Sequence, residues 1–504
     1  MSKEVNYGVK VMEKMLVGLD KAALPVIGTI GPKGLNVYIQ DPMEPKITND
    51  GATIASQIVL DDPVEDAGAY VIRNTSSQTN DDVGDGTTTT ATLTHALVHE
   101  CVNRPENPML IKQSLKEAGD KVLKILAKKS IKIDQKDIEK VAIISSEDKK
   151  LAKIINEIIG KLGDKAVINV EDSKTFATEY EIVDGYEAHV GFMSPHFITD
   201  KKTARAIYTD IPVLVTAKKI SNIIDIQPIF KQFEENKVSQ CVIVCDDIDD
   251  SMLGMLVMNK NMGRFNALVI RATGELLEDI AGSVGADIVS DATGINFSNV
   301  ELSNLGLAKK IVCDANKTIF IGDKLAAFKY ANNLESKANS EPNQYIAKRM
   351  QDRVAKLRGS IAVLKIGAST DPERNYLKYK AEDAVKAVQA ALAEGIVEGG
   401  GMTLYNIAEE LEPKTIGEEI IKKALKAPLQ QIIKNAGKDY TEILLNMPDG
   451  QGYDAKRDCY CDLMEAGIID PVKVERCSLE NAVSAASTFI TTFSCITEKE
   501  DNGK

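Results

Sequence analysis

Apolar residues recur every three or four positions through 8–30 and 88–130, with Lys and Glu on the intervening turns, which predicts long amphipathic helices. The same period returns at 376–396, 403–411, 415–436 and 478–490. The middle differs. Val167-Ile168-Asn169-Val170, Ile211-Pro212-Val213-Leu214-Val215, Cys241-Val242-Ile243-Val244-Cys245 and Ala267-Leu268-Val269-Ile270 are short, mostly β-branched runs separated by helical stretches. That alternation predicts an α/β module with helices on the faces of a sheet, inserted into a helical body whose halves lie at opposite ends of the chain. Thr497 to Lys504 reads as a polar tail, and there is no internal repeat.

At roughly 150 residues per domain, 504 residues predict about three domains. A hydrophobic fraction of 44% with 27% charged residues excludes a disordered chain, a collagen-like chain and a small disulfide scaffold. Only 5% of residues are aromatic and none is Trp, so the core must be aliphatic. With 61 Lys+Arg against 74 Asp+Glu the net charge is −13, which argues against a nucleic-acid partner. The start, Met1 to Tyr7, has no apolar signal region, and no run approaches the roughly 18 apolar residues of a membrane span. Eight scattered cysteines without a CxxC pair read as reduced thiols, and the cytoplasm is the expected location. Cys459-x-Cys461 and Cys241-xxx-Cys245 are each half of a zinc site at most. Among four histidines, His95 and His99 could grip a metal from one helix face, but HALVH lacks the Glu of HExxH and no third ligand is evident. They are expected to be helix-face residues without a metal, and His-based catalysis is disfavoured.

The strongest local signal is Gly84-Asp85-Gly86-Thr87-Thr88-Thr89-Thr90, leading directly into a helical stretch. A glycine turn opening a helix aims free N–H groups and the positive dipole end at one point, which suits a phosphate. Threonine hydroxyls add donors, and Asp85 offers a hard oxygen to Mg²⁺. Four β-branched residues are otherwise a poor way to start a helix. Gly28-Thr29-Ile30-Gly31-Pro32-Lys33-Gly34 is a second, weaker phosphate-loop candidate; it is not a GxxxxGK[ST] loop. Ile47-Thr48-Asn49-Asp50-Gly51 puts a carboxylate in a turn, and Gly399-Gly400-Gly401 permits close approach of a flat ligand. Together these turns predict a nucleotide site of a non-P-loop kind.

GDGTTT (Gly84–Thr89), TIGPKGLN (Thr29–Asn36), ITNDG (Ile47–Gly51), GIVEGGGMTL (Gly395–Leu404), GYDA (Gly452–Ala455) and GIIDP (Gly467–Pro471) resemble the signature of group I chaperonins, the GroEL class, in order and near spacing. VINVED (Val167–Asp172) and GYEAHVGFMSPHF (Gly185–Phe197) resemble the approach to that family's apical domain. The similarity runs from about residue 5 to residue 496. It implies an α/β multidomain chaperonin fold: a mostly helical equatorial domain at 1–128 and 395–504, a small α+β intermediate domain at 129–183 and 362–394, and an α/β apical domain at 184–361. It further implies an ATPase with Mg²⁺ that folds non-native polypeptides inside a homo-oligomeric ring, about seven subunits per ring, with a co-chaperonin among its partners.

By that resemblance Thr29, Ile30, Gly31 and Pro32 line the phosphates of ATP, Asp85 holds Mg²⁺, and Gly51, Gly86, Thr87, Thr88 and Thr89 contact phosphate oxygens. Asp50 and Asp383 orient the attacking water, and Gly399, Gly400, Asp454, Ala455, Ile468 and Asp470 enclose adenine and ribose. Polypeptide binding falls to Phe192, His196, Phe197, Gln227, Phe230, Leu253, Val257 and Met258. These belong to apolar stripes (Ile223, Ile226, Phe230, Phe233; Met252, Leu253, Met255, Leu256, Val257, Met258) that, as bare patterns, read as core packing. Departures mark a divergent member and admit a phage source. Asn49 replaces a lysine near the phosphates, which puts K⁺ dependence in doubt; Asp454 replaces an asparagine, and Val190 and Gln430 replace arginines at subunit and ring contacts. His196 and Gln227 soften apolar positions, and the family's Gly/Met-rich tail is not seen. Two other readings are a ring that holds clients without cycling and a small-molecule Mg²⁺-dependent phosphotransferase.

Overall fold

The computed structural model describes residues 3–40, 46–164, 166–173, 175–201, 203–322 and 324–498. They form two compact units: Met1–Lys165 with Asp172–Thr178 and Ile366–Lys504, and Ala166–Glu171 with Glu179–Lys365.

The first unit begins with α1 (Val9–Ile27), α2 (Gly51–Gln57), α3 (Pro63–Val83), α4 (Thr87–Val102), α5 (Pro108–Lys129), α6 (Gln135–Ser146) and α7 (Lys149–Leu162). Side chains of Asp62, Asn107, Asp134 and Asp148 accept the first N–H groups of α3, α5, α6 and α7, and Pro63 and Pro108 sit where the missing N–H costs nothing. The single helix expected over 88–130 is therefore two, α4 and α5, because Pro105 and the Asn107-Pro108 cap interrupt it. α1 and α3 cross with backbones touching: a Cβ on Gly18 would lie 1.8 Å from Glu65 O, and one on Gly68 1.8 Å from Met15 O.

In the second unit the four β-branched runs are all strands. A seven-stranded sheet runs in the order Tyr186–Ala188, Thr318–Ile321, Gly306–Cys313, Ala206–Thr216, Gln240–Cys245, Asn266–Arg271, with Ile288–Val289 also paired to Ala206–Thr216. The last three strands of that order are parallel and are linked by α8 (Ile223–Glu235) and α9 (Asp250–Asn261). Both crossovers step the same way, so right-handed connection puts both helices on one face. α10 (Gly274–Val284), α11 (Lys324–Ser340) and α12 (Gln344–Leu357) follow. The core is aliphatic: Val213, Val215, Val242, Val244, Leu268 and Ile270 are all at 0% exposure. Val167–Asp172, Ser360–Ile366 and Glu179–Asp184 make a smaller sheet in that order.

The chain then returns to the first unit with α13 (Asp371–Glu394), α14 (Met402–Glu410), α15 (Ile416–Ala424), α16 (Ala427–Asn435), α17 (Tyr440–Asn446), α18 (Leu463–Ala466) and α19 (Val472–Ile490). The helix expected over 415–436 is divided where Pro428 starts α16. One core joins the sequence ends: Leu19, Leu93 and Leu115 pack with Leu404, Ile420, Leu479 and Phe489. Strand Lys3–Tyr7 pairs antiparallel with Ser494–Glu498; most of the expected polar tail lies outside the described residues. The eight cysteines are free thiols, and burial pushes those of Cys101, Cys241, Cys245 and Cys313 up to about 12. Among the described residues no helix is long and apolar enough to cross a membrane.

Candidate functional site

α4 opens on two left-handed glycines, Gly84 (φ +71°) and Gly86 (φ +76°), and the N-cap makes no side-chain hydrogen bond to the helix. Its first N–H groups therefore stay available to an outside acceptor. The threonines divide their work. Thr90 Oγ1 donates to Gly86 O (2.9 Å) and lies 3.0 Å from Thr79 Oγ1, fixing the turn from behind. Thr87 is buried, while Thr88 and Thr89 are half-buried at the mouth.

Asp50 caps α2, accepting Thr53 N–H at 2.8 Å. A Cβ on the next residue, Gly51, would sit 2.6 Å from Thr88 Oγ1 and 2.8 Å from Thr87 Oγ1. Only glycine lets the Asp50 turn rest against the start of α4. Gly86 N–H donates to Asp85 Oδ1 at 2.6 Å, and burial nevertheless raises this carboxyl above the ordinary range, with the charge of Asp50 adding to it. Asp383 on α13 is driven further, up to about 8, by burial and then by the charges of Asp85 and Asp50. Asp50, Asp85 and Asp383 thus converge at one helix start and are electrostatically unfavourable together. Lys380 and Lys386 partly offset them. Residues 380, 383 and 386 repeat at three-residue spacing, so one face of α13 carries acid and counter-charge. That spacing was the available signal for the two lysines. Such a cluster fits a hard divalent cation, with Asp85 as its most enclosed oxygen ligand.

On the adjoining side, Gly400 N–H donates to Asp470 Oδ2 at 3.1 Å, and Val397 pairs with Asp470 across a short antiparallel ladder. Burial and the neighbouring Asp85 raise the Asp470 carboxyl; Glu475, fully enclosed one turn into α19, is raised further by burial and Asp470. Glu475 had no sequence signal beyond its place after GIIDP. Ile30, Ala455 and Ile468 meet in one apolar cluster with Tyr453, Leu429 and Ile433, which supplies an apolar wall. The loop after α1 is held by its own bonds, Thr29 Oγ1 to Val26 O at 2.7 Å and Gly34 N–H to Gly31 O at 3.0 Å. Asn435 clamps it from α16, donating to Ile27 O, Gly28 O and Ile30 O at 3.3, 3.3 and 3.0 Å. Gly31 and Pro32 remain exposed. Asp454 faces its own turn, accepting Lys456 and Arg457 N–H at 2.9 and 3.0 Å.

In the second unit, Ile224 and Met258 are 71% and 52% exposed, Gln227 and His196 are exposed, and Phe192, Phe230, Leu253 and Val257 are half-buried. Phe197 corrects the expectation of an exposed aromatic: it is at 0% exposure, under the Lys260 ammonium at 5.9 Å. Ile226, Phe233, Met252 and Leu256 are likewise core. Each stripe is thus half packing and half surface. His95 and His99 are partly exposed on the face of α4, as expected, and the sequence missed one neighbour: Asp20 of α1 lies 3.1 and 2.6 Å from their Nε2 atoms.

Residues 25–500 match the model of the TCP-1/cpn60 chaperonin family. Among solved structures, the chain is similar to the chaperonin gp146 from bacteriophage EL 2 (Pseudomonas aeruginosa), crystallised in the presence of ATP-BeFx. In one crystal form the match has a TM-score of 0.71 and 20% identity, over 98% of this chain and 99% of that one. In another form the TM-score is 0.67 at the same identity and coverage.

Proposed function

This chain belongs to the TCP-1/cpn60 chaperonin family, and on that premise we propose that it is an ATP-driven chaperonin that binds non-native polypeptides and assists their folding within a homo-oligomeric ring. The observation that carries the reading is the convergence of Asp50, Asp85 and Asp383 on the open N-terminus of α4. The solved relative's crystallisation with an ATP analogue supports the same site chemistry.

The α4 N–H groups and the Thr87, Thr88 and Thr89 hydroxyls donate to phosphate oxygens, with Gly51 and Gly86 leaving room for them. The Thr29–Pro32 loop, clamped by Asn435, closes on the phosphates from α1. Gly399, Gly400, Ala455, Ile468 and the Asp454 and Asp470 turns surround the nucleoside. Asp85 holds Mg²⁺, which when bound neutralises charge developing on the transferring phosphoryl group. Asp50 and Asp383 orient water. With neighbouring negative charge neutralised, Asp383 gives up its proton more readily and accepts one from the water whose oxygen bonds to the γ-phosphorus as the bond to the bridging oxygen breaks and ADP leaves. The equatorial, intermediate and apical division at 1–128, 129–183, 184–361, 362–394 and 395–504 is part of this proposal. So is client binding at the exposed edges of α8 and α9, by Phe230, Leu253, Val257 and Met258, with Phe192, His196 and Gln227 modulating it. Phe197 is left out because it is core.

Purified protein should hydrolyse ATP with Mg²⁺ and form rings by negative-stain microscopy. Asp383→Ala should slow steady-state turnover about a hundredfold or more while leaving rings intact. Unchanged turnover removes the role given to Asp383, and a monomer at every concentration, with or without ATP, removes the ring reading. Rings that suppress aggregation without hydrolysis would favour the holding device.

A further inference from the structure

Two of the chain's four histidines stand one turn apart on α4, and both turn Nε2 toward a single oxygen of α1. His95 Nε2 lies 3.1 Å and His99 Nε2 2.6 Å from Asp20 Oδ1. The ring centroids are 4.4 Å apart at 47°, and one ligand atom from each of the three residues falls within 4.8 Å of the others. All three side chains are about a quarter to a third exposed. The adjacent cation Lys21 does not compete for Asp20; it pairs with Glu65 at 2.6 Å.

We propose that Asp20, His95 and His99 form a binding site for a divalent transition-metal ion, Zn²⁺ by its ligand set, that fastens α1 to α4. Two imidazoles and a carboxylate with a fourth position left to water make a known zinc coordination set. Zinc–ligand lengths of roughly 2.0–2.2 Å in a tetrahedron separate ligand atoms by about 3.3 Å. The two contacts with Asp20 Oδ1 reach that value when it parts from His99 Nε2 by about 0.7 Å and from His95 Nε2 by about 0.2 Å, and the three ligand atoms already lie within 4.8 Å of one another. A hard, all-oxygen ion such as Mg²⁺ is a poor match for two imidazoles. The position gives the site a consequence. α4 begins at the Thr87–Thr89 cradle and α1 ends in the Thr29–Pro32 loop, so an ion here would tie together the two helices that carry those walls.

The test uses tag-free protein stripped with chelator, titrated with ZnCl₂ and separately with CoCl₂. Equilibrium dialysis should give one Zn²⁺ per chain, and Co²⁺ should produce the visible bands of a tetrahedral N/O site without a thiolate charge-transfer band. Zn²⁺ should raise the melting temperature. His99→Ala and Asp20→Asn, each checked by far-UV circular dichroism and for ring assembly, should lower Zn²⁺ affinity about tenfold or more and abolish that rise. Cys459→Ser with Cys461→Ser should leave binding unchanged. Equal uptake by wild type and a folded His99→Ala variant overturns the site. So does loss of uptake with the cysteine pair, or no uptake at all, which would leave Asp20 as a hydrogen-bond acceptor shared by two imidazoles.

Discussion

Replacing Asp383 with Asn should stabilise the protein when nucleotide and divalent ions are absent. Burial and the charges of Asp85 and Asp50 hold the Asp383 carboxyl at about 8, against 3.8 for an ordinary aspartate. Between those values the folded chain keeps a proton that the unfolded chain has lost. Stability from this group is therefore intact at acid pH and falls as pH rises through the window. Each pH unit is worth about 1.36 kcal/mol, so the loss from pH 5 to pH 7 is about 3 kcal/mol. Solvent still reaching the half-buried carboxyl trims this to on the order of 2 kcal/mol. An asparagine carries no such penalty. Melting temperatures of wild type and Asp383→Asn, measured in EDTA at pH 4, 5, 6 and 7, should lie together only near pH 4 and separate progressively above it, by several degrees at pH 7, the variant higher. Mg²⁺ at pH 7 should narrow the gap by relieving the wild type. The other raised carboxyls are common to both proteins and cancel in the difference. Parallel pH profiles, or a variant less stable at pH 7, would refute the electrostatic account of the site.

Three further substitutions probe separate parts of the molecule. Gly86→Ala places a Cβ 2.5 Å from Val474 Cγ1 in a left-handed conformation costing roughly 1–2 kcal/mol before any clash, so binding of a fluorescent ATP analogue should be lost. Asn435→Ala removes three bonds that hold the Thr29 loop; KM for ATP should rise about tenfold with kcat changed much less, as steady-state kinetics would report. Met258→Ser should weaken suppression of aggregation of an unfolded test protein without altering the circular dichroism spectrum, whereas Leu256→Ser, at a residue 2% exposed, should unfold the second unit.

The parts of the site written in contiguous sequence were legible beforehand. Gly84 to Thr90 announces a helix start with free donors, and Asp50-Gly51 a capped turn, because both depend on local backbone chemistry. Asp383 entered only through resemblance, since an acid in mid-helix has no local signature; packing beside Asp85 is what perturbs it. Asn435, Glu475 and Asp20 were not legible. Asn435 acts on residues 27–30 and Asp20 on 95 and 99, far along the chain, while Glu475 is set apart by its burial beside Asp470; no spacing rule links such positions. The α8 and α9 stripes sat between these cases. Period 3.6 identifies an apolar face but not whether a sheet or solvent covers it, and here Ile226 and Leu256 face the core while Ile224 and Met258 do not. Helix ends were misplaced where prolines cut a continuous pattern, at Pro108 and Pro428.

The small three-stranded sheet bears on how the chain assembles. Glu179–Asp184, where the chain runs into the large sheet, pairs antiparallel with Ser360–Lys365, where it leaves. The core of the first unit needs α1 and α4 from one end of the chain and α19 from the other, so it forms only after those segments are brought together. Closing a loop of nearly two hundred residues costs about 5 kcal/mol of chain entropy. Pairing Glu179–Asp184 with Ser360–Lys365 meets that cost inside the second unit, whose long stretch is contiguous and can fold from its own contacts. The inserted module then acts as a clasp, turning a remote encounter into a local one. Substitutions that weaken the Val183–Ile361 pairing should therefore slow folding of the helical body.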